Sequence, residues 1–112
     1  MSRGIDTAKA DKYLDISTGH LEPDDRKQLE EDTTRSLMGT GGIATLIAFK
    51  YDEGWFVVVP PDDDDPVLPE DVREEYSAQM CRILELARDL DCSLIRFDSD
   101  GNKFTEDLEW HI

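Results

Sequence analysis

Apolar and polar positions alternate most clearly between residues 43 and 59. Ile43, Thr45, Ile47, Phe49 and Tyr51 interleave with Ala44, Leu46, Ala48 and Lys50, and Trp55, Phe56, Val57, Val58 and Val59 follow. Asp52, Glu53 and Gly54 separate the two runs, the spacing of a hairpin. Both faces of these runs are rather apolar, which predicts central strands, and Pro60 with Pro61 stops the second one. Upstream, Tyr13, Leu14, Asp15, Ile16 and Ser17 read as a short first strand with imperfect alternation, left through Ser17, Thr18 and Gly19. Downstream, Ser93, Leu94, Ile95, Arg96 and Phe97 read as a last strand, followed by a turn over Asp98, Ser99, Asp100, Gly101 and Asn102.

Two stretches carry the helical period. Residues 22–35 begin with Pro23, Asp24 and Asp25, which suit a first turn and the positive end of the helix dipole. The apolar stripe there is thin (Leu21, Leu29, Leu37) and predicts a largely exposed helix with one narrow contact line, ended by Gly39, Thr40, Gly41 and Gly42. Residues 70–90 repeat Val72, Tyr76, Met80, Ile83, Ala87 and Leu90 at steps of three and four, one amphipathic helix starting near Pro69. The tail Leu108, Glu109, Trp110, His111 and Ile112 adds an edge strand or packs Trp110 on the domain.

The resulting order, β-α-β-β-α-β, predicts an α+β fold, a two-layer α/β sandwich. A ferredoxin-like split βαβ is the most economical solution, and a different two-layer sandwich with the same element order is the alternative. With 112 residues the chain suits one domain: a flexible arm over 1–11, of mixed charge and little apolar content, and a single α/β domain over 12–112. No apolar run reaches ~18 residues, so no membrane span is expected. Nothing near Met1 resembles a secretory signal, so the expected location is cytoplasmic. Cys81 and Cys92 are eleven residues apart; helical spacing would separate them by ~16 Å. A disulfide needs Cα atoms within about 7 Å, so both are expected to be buried, reduced and apolar in role.

Charge changes this picture more than composition does. The chain carries 27 acidic and 12 basic residues, a formal net charge of −15. Residues 60–75 hold eight acids and one base, and residues 98–109 hold five acids and one base. No stretch supplies the basic footprint of direct nucleic-acid binding. Spread evenly over a folded surface of roughly 6,300 Å², the net charge is one per ~420 Å². A nucleic-acid duplex carries one per ~110 Å². Only a patch gathering Asp62, Asp63, Asp64, Asp65, Glu70, Asp71, Glu74 and Glu75 approaches that density, and these eight residues are the candidate partner-binding site. The alternative is that the acids only keep a small protein soluble.

Recognised chemistry is sparse. Asp98, Asp100 and Asn102 have the alternate spacing of a calcium loop. Yet placing Gly101 sixth puts Arg96 first, and placing Asp98 first puts Lys103 sixth, so an Asx turn is the better reading. Gly39, Thr40, Gly41 and Gly42 lack a following P-loop lysine. His20 and His111 lack zinc spacing, and no nucleophile is placed with its base. No enzyme activity, no metal and no cofactor is therefore expected. Thr18 and His20 form a second candidate, a ligand site: under ferredoxin-like topology they would come near Asp62 and Asp63.

The strand exit Ile16, Ser17, Thr18, Gly19, His20, Leu21, followed by an acidic helix, resembles a small bacterial family, domain of unknown function 5983, found on chromosomes and mobile elements. Gly54 to Pro60, the run Leu94 to Gly101, and Leu108, Glu109, Trp110 are similar too. The likeness spans about residues 12–110, and this chain departs from it by its long N-terminal arm and its four-aspartate run. The resemblance implies no activity. Its mobile-element association implies a role between phage or plasmid and host. Together, charge and resemblance lead to the expectation of a non-enzymatic acidic module that binds a basic protein surface, as an inhibitor or nucleic-acid mimic of the anti-CRISPR kind. It would make no direct contact with nucleic acid or membrane. The alternatives are a small-molecule or divalent-metal-binding domain and a homodimer through an exposed sheet.

Overall fold

Leu14 and Ile16 on β1 (Lys12–Ser17) point to the side that Tyr13 and Asp15 avoid, and both are buried. The same alternation buries Ala48 on β2 (Ala48–Tyr51), Trp55 and Val57 on β3 (Gly54–Val58), and Ile95 and Phe97 on β4 (Cys92–Asp98). This computed structural model describes residues 12–38, 44–61, 67–104 and 108. The expected arm over 1–11, the aspartates 62–65 and Trp110 lie outside those residues.

The four strands form one mixed sheet in the order β1-β4-β3-β2. β1 runs parallel to β4, with Asp15 opposite Arg96 and Ser17 opposite Asp98. β4 is antiparallel to β3, and β3 to β2. The α+β class holds, but the pairing is not that of a ferredoxin-like split βαβ. That fold flanks its first strand with its third and fourth, whereas β1 here stands at the edge of the described strands, beside β4 alone. The central place goes to β4, whose Ile95 and Phe97 are fully buried. The outer edge of β1 is blunted instead by the chain leaving β4: Ser17 N–H donates to Asn102 O (2.8 Å) and Asn102 Nδ2 donates to Asp15 O (3.1 Å). Gly101 makes that approach, since a Cβ there would lie 2.5 Å from the Ile16 carbonyl.

Helices cover one face of the sheet. α1 (Pro23–Met38) packs against β2 and α3 (Ala78–Asp89) against β4. The stripe that α1 buries differs from the expected one. Leu37 is 75% exposed, while Asp25, Leu29 and Asp32 are buried and Ser36 is half-buried, at steps of i, i+4, i+7 and i+11. The helix expected over 70–90 is two helices, α2 (Glu70–Glu75) and α3. Tyr76 is extended (φ −114°, ψ 157°) and Ser77 caps α3 by accepting the Met80 N–H (3.0 Å). The break is held from α1: the Asp25 carboxylate accepts both the Ser77 N–H (2.9 Å) and the Ser77 hydroxyl. α3 ends at Leu90, which is exposed, and Asp91 follows in the left-handed region (φ 58°). The strand expected from Ile43 begins only at Ala48, because the amides of Thr45 and Leu46 turn to Asp32 instead of to a neighbouring strand. Cys81 and Cys92 are free thiols, half-buried at the margin of the core, not buried as expected. Burial, with Glu85 and Asp25 nearby, pushes the Cys81 thiol above its usual range.

Candidate functional site

Four of the eight expected partner-binding acids are described, and one short helix presents them together. Glu70, Asp71, Glu74 and Glu75 are all exposed on α2. At 100° per residue they occupy an arc of about 140°. Val72, fully buried, anchors the other side in the core. Asp71 Oδ1 accepts the Val72 N–H (2.9 Å), and Arg73 turns its Nε to Leu68 O (3.0 Å). Among the described residues the ion pairs are Arg35 with Glu31 and Asp32, and Arg96 with Asp15; none involves the four acids of α2.

Thr18 and His20 sit at the opposite end of the sheet. They lie in a 3-10 turn (Thr18–His20) that leaves β1 next to Asp98, whereas β3 leaves the sheet at Val58, opposite Leu94. The ferredoxin-like pairing that would join these ends is not the one formed. Both residues are buried in structural contacts. Arg26 Nη2 donates to Thr18 O (2.7 Å) and Gln79 Nε2 to His20 O (3.3 Å). His20 Nε2 accepts the Phe104 N–H (2.8 Å), which ties the segment after β4 to the domain. Among the described residues no group of three His, Cys, Asp or Glu side chains is placed to hold a metal ion. The Asp98 turn is an Asx turn: Asp98 Oδ1 accepts the Asp100 N–H (2.8 Å) and Asp98 O the Gly101 N–H (2.9 Å).

Sequence reasoning missed two groups of residues. The first is the buried polar seam of α1. Asp32 accepts hydrogen bonds from Thr45 N–H (3.0 Å), Leu46 N–H (3.2 Å) and the Tyr76 hydroxyl (2.5 Å). Desolvation, then the bond to Asp32, holds the Tyr76 hydroxyl far above its ordinary range. The i, i+4, i+7, i+11 spacing of Asp25, Leu29, Asp32 and Ser36 was the available signal.

The second is the face of the sheet turned away from the helices. Strand register lays its side chains in rows: Tyr13, Leu94, Val58 and Ile47, then Asp15, Arg96, Phe56 and Phe49, then Asp98 beside Gly54 and Tyr51. Arg96 grips Asp15 through Nε (3.3 Å) and Nη2 (3.1 Å), with its guanidinium 5.4 Å from the Tyr13 ring centre. The Tyr51 hydroxyl donates to Asp98 Oδ2 (2.5 Å), and its ring lies 4.9 Å from that of Phe56. Desolvation, then the bond to Asp98, raises the Tyr51 hydroxyl to about 12, while that bond, then the Asp100 amide, holds Asp98 below the usual carboxylate range. The sign follows directly. Tyr51 is raised, so its contribution to stability is complete below its ordinary value of 10 and is lost as pH climbs through about 12. Asp98 is lowered, so its contribution is present above the ordinary carboxylate range and is lost in acid. We expect the 295 nm titration of the native protein to contain a tyrosinate that appears near pH 12 and is removed by Tyr51→Phe, distinct from Tyr76, whose hydroxyl is raised further. A wild-type curve unchanged by that substitution would refute the assignment.

The described residues contain no helix long and apolar enough to cross a membrane. No curated protein and no solved structure matches the chain. One family does, as the "Family of unknown function (DUF5983) C-terminal domain", over residues 13–110. That span takes in the described strands and the three described helices, and the chain belongs to this family.

Proposed function

We propose that the domain is a non-enzymatic protein-binding module that sets its acidic face on a basic surface of another protein, as an inhibitor or nucleic-acid mimic does. The observation that carries the reading is the outer arc of α2. It holds four exposed carboxylates, none of them in an ion pair with a described residue. Val72, fully buried beneath them, ties the helix to the core. The backbone of a short anchored helix is already ordered before binding, so attraction to a cationic partner is opposed by the rotamer entropy of the carboxylate side chains and not by that of the chain. Such an interface is salt-sensitive, because screening sets in within ~8 Å at physiological ionic strength.

Affinity capture from a bacterial lysate at low and high salt tests this reading. A specific partner is expected at low salt and is lost at high salt. The variant Glu70→Gln/Asp71→Asn/Glu74→Gln/Glu75→Gln is expected to bind that partner at least tenfold more weakly, about 1.4 kcal/mol or more, from four rim charges at a few tenths each. A partner held equally by the neutralised variant at both salt concentrations would overturn the proposal.

A further inference from the structure

No described element covers the face of the sheet opposite the helices. Its centre is apolar: Tyr13, Leu94, Val58 and Ile47 cross all four strands in one row, with Phe56 and Phe49 beside them. Tyr13 is 52%, Ile47 50% and Phe49 47% exposed. With strands about 4.8 Å apart and same-face residues about 7 Å apart, these six apolar residues cover about 200 Å² of the sheet plane.

Charge decides among the occupants. A second copy would bring a net −15 against −15, which opposes self-association through this face. The one described cation in the middle of the face, Arg96, is taken up by Asp15. Carboxylates are held at one end of the patch. Ser99 N–H donates to Glu53 O (3.0 Å) and Ser99 Oγ to Glu53 Oε2 (3.2 Å), which joins the β2–β3 turn, with its Asp52 and Glu53, to the turn of Asp98 and Asp100. An apolar centre with a fixed acidic end complements an apolar stripe edged with lysine or arginine, the two faces of a basic amphipathic helix. We propose that the open face of the sheet binds a basic amphipathic helix of another protein. One end of this face adjoins the acidic arc of α2, since Ile47 and Val58 share a surface pocket with Pro69 and Asp71, while Glu70, Glu74 and Glu75 do not line that pocket.

The test is amide chemical-shift mapping of the 15N-labelled full chain, titrated with a leucine–lysine amphipathic helical peptide. A leucine–glutamate peptide and an all-lysine peptide are the controls. Shifts are expected along the open-face rows with the leucine–lysine peptide alone. Phe49→Ser/Leu94→Ser is expected to weaken binding at least tenfold, and Glu70→Gln/Glu74→Gln/Glu75→Gln is expected to change it less than twofold. Should the double variant fail to fold, Tyr13→Lys at an exposed position must show the loss. Shifts confined to α2, equal binding of the all-lysine peptide, or no shift would each overturn the proposal. So would open-face amides that move on dilution without peptide, which would mark a second copy as the occupant. Binding that appears only after removal of residues 1–11 would mark the chain's own segment as the occupant and overturn it too.

Discussion

Alanine at Gly54 is expected to destabilise the fold more than any other single substitution considered for the sheet. A Cβ at this position would lie 1.7 Å from the Phe97 carbonyl oxygen and 2.7 Å from its carbon. Both are backbone atoms of the neighbouring strand, so no rotamer change relieves the clash. β4 cannot retreat, because it is paired on its other side with β1 and carries the fully buried Ile95 and Phe97. Separating β3 from β4 would open the centre of the only sheet among the described residues. The cost is expected to exceed about 3 kcal/mol, a large part of the 5–15 kcal/mol that holds a domain together. Urea unfolding followed by far-UV circular dichroism reads the effect. Gly101→Ala is the matched comparison: its Cβ would meet the Ile16 backbone at 2.5 Å, but at the sheet's margin, where the segment after β4 can lift away. A smaller loss is expected there. A Gly54→Ala protein with the wild-type midpoint would show that β3 and β4 do not approach as described.

Asp32→Ala is expected to cost about 3–5 kcal/mol, from two backbone amides and one phenol deprived of their acceptor at ~1–3 kcal/mol each, partly regained by water. The carboxylate is fully buried and serves Thr45, Leu46 and Tyr76, with Arg35 at 3.9 Å. Tyr76→Phe alone removes one donor and leaves the carboxylate its other partners, so a loss of about 1–2 kcal/mol is expected. In the double variant the two losses are not additive, with a coupling of about 1 kcal/mol or more for groups in direct contact. Equal stabilities of Asp32→Ala and wild type would remove the polar seam from the account of why α1 stays on the sheet.

The importance of Asp32 was hidden because a helix with five acids in sixteen residues reads as a solvated one. An aspartate is stable in a core only when donors converge on it, and these come from Thr45, Leu46 and Tyr76, 13 to 44 positions away. Ser77 is a similar case. The apolar steps from Val72 to Ala87 continue without interruption through Tyr76, so periodicity alone predicts one helix. The carboxylate of Asp25, 52 positions upstream, turns Ser77 into the cap of a second. For the candidate site, the clustering of Glu70, Asp71, Glu74 and Glu75 was readable from local spacing. The placement of Thr18 and His20 relative to the end of β3 was not, because it depends on which strand β1 adopts as its partner.

Local pattern by itself determined the strand-forming runs, the hairpin at Asp52 and Glu53, the buried stripe of Met80, Ile83 and Ala87, the family, and the excess of negative charge. Only the tertiary structure decided that β1 lies parallel to β4, that two aspartates of α1 leave water, and that no described element covers one side of the sheet. Periodicity records which side of an element is apolar. Strand partners and buried hydrogen bonds are set by contacts between residues far apart in the chain, where many pairings satisfy the same alternation and only the packed core selects one.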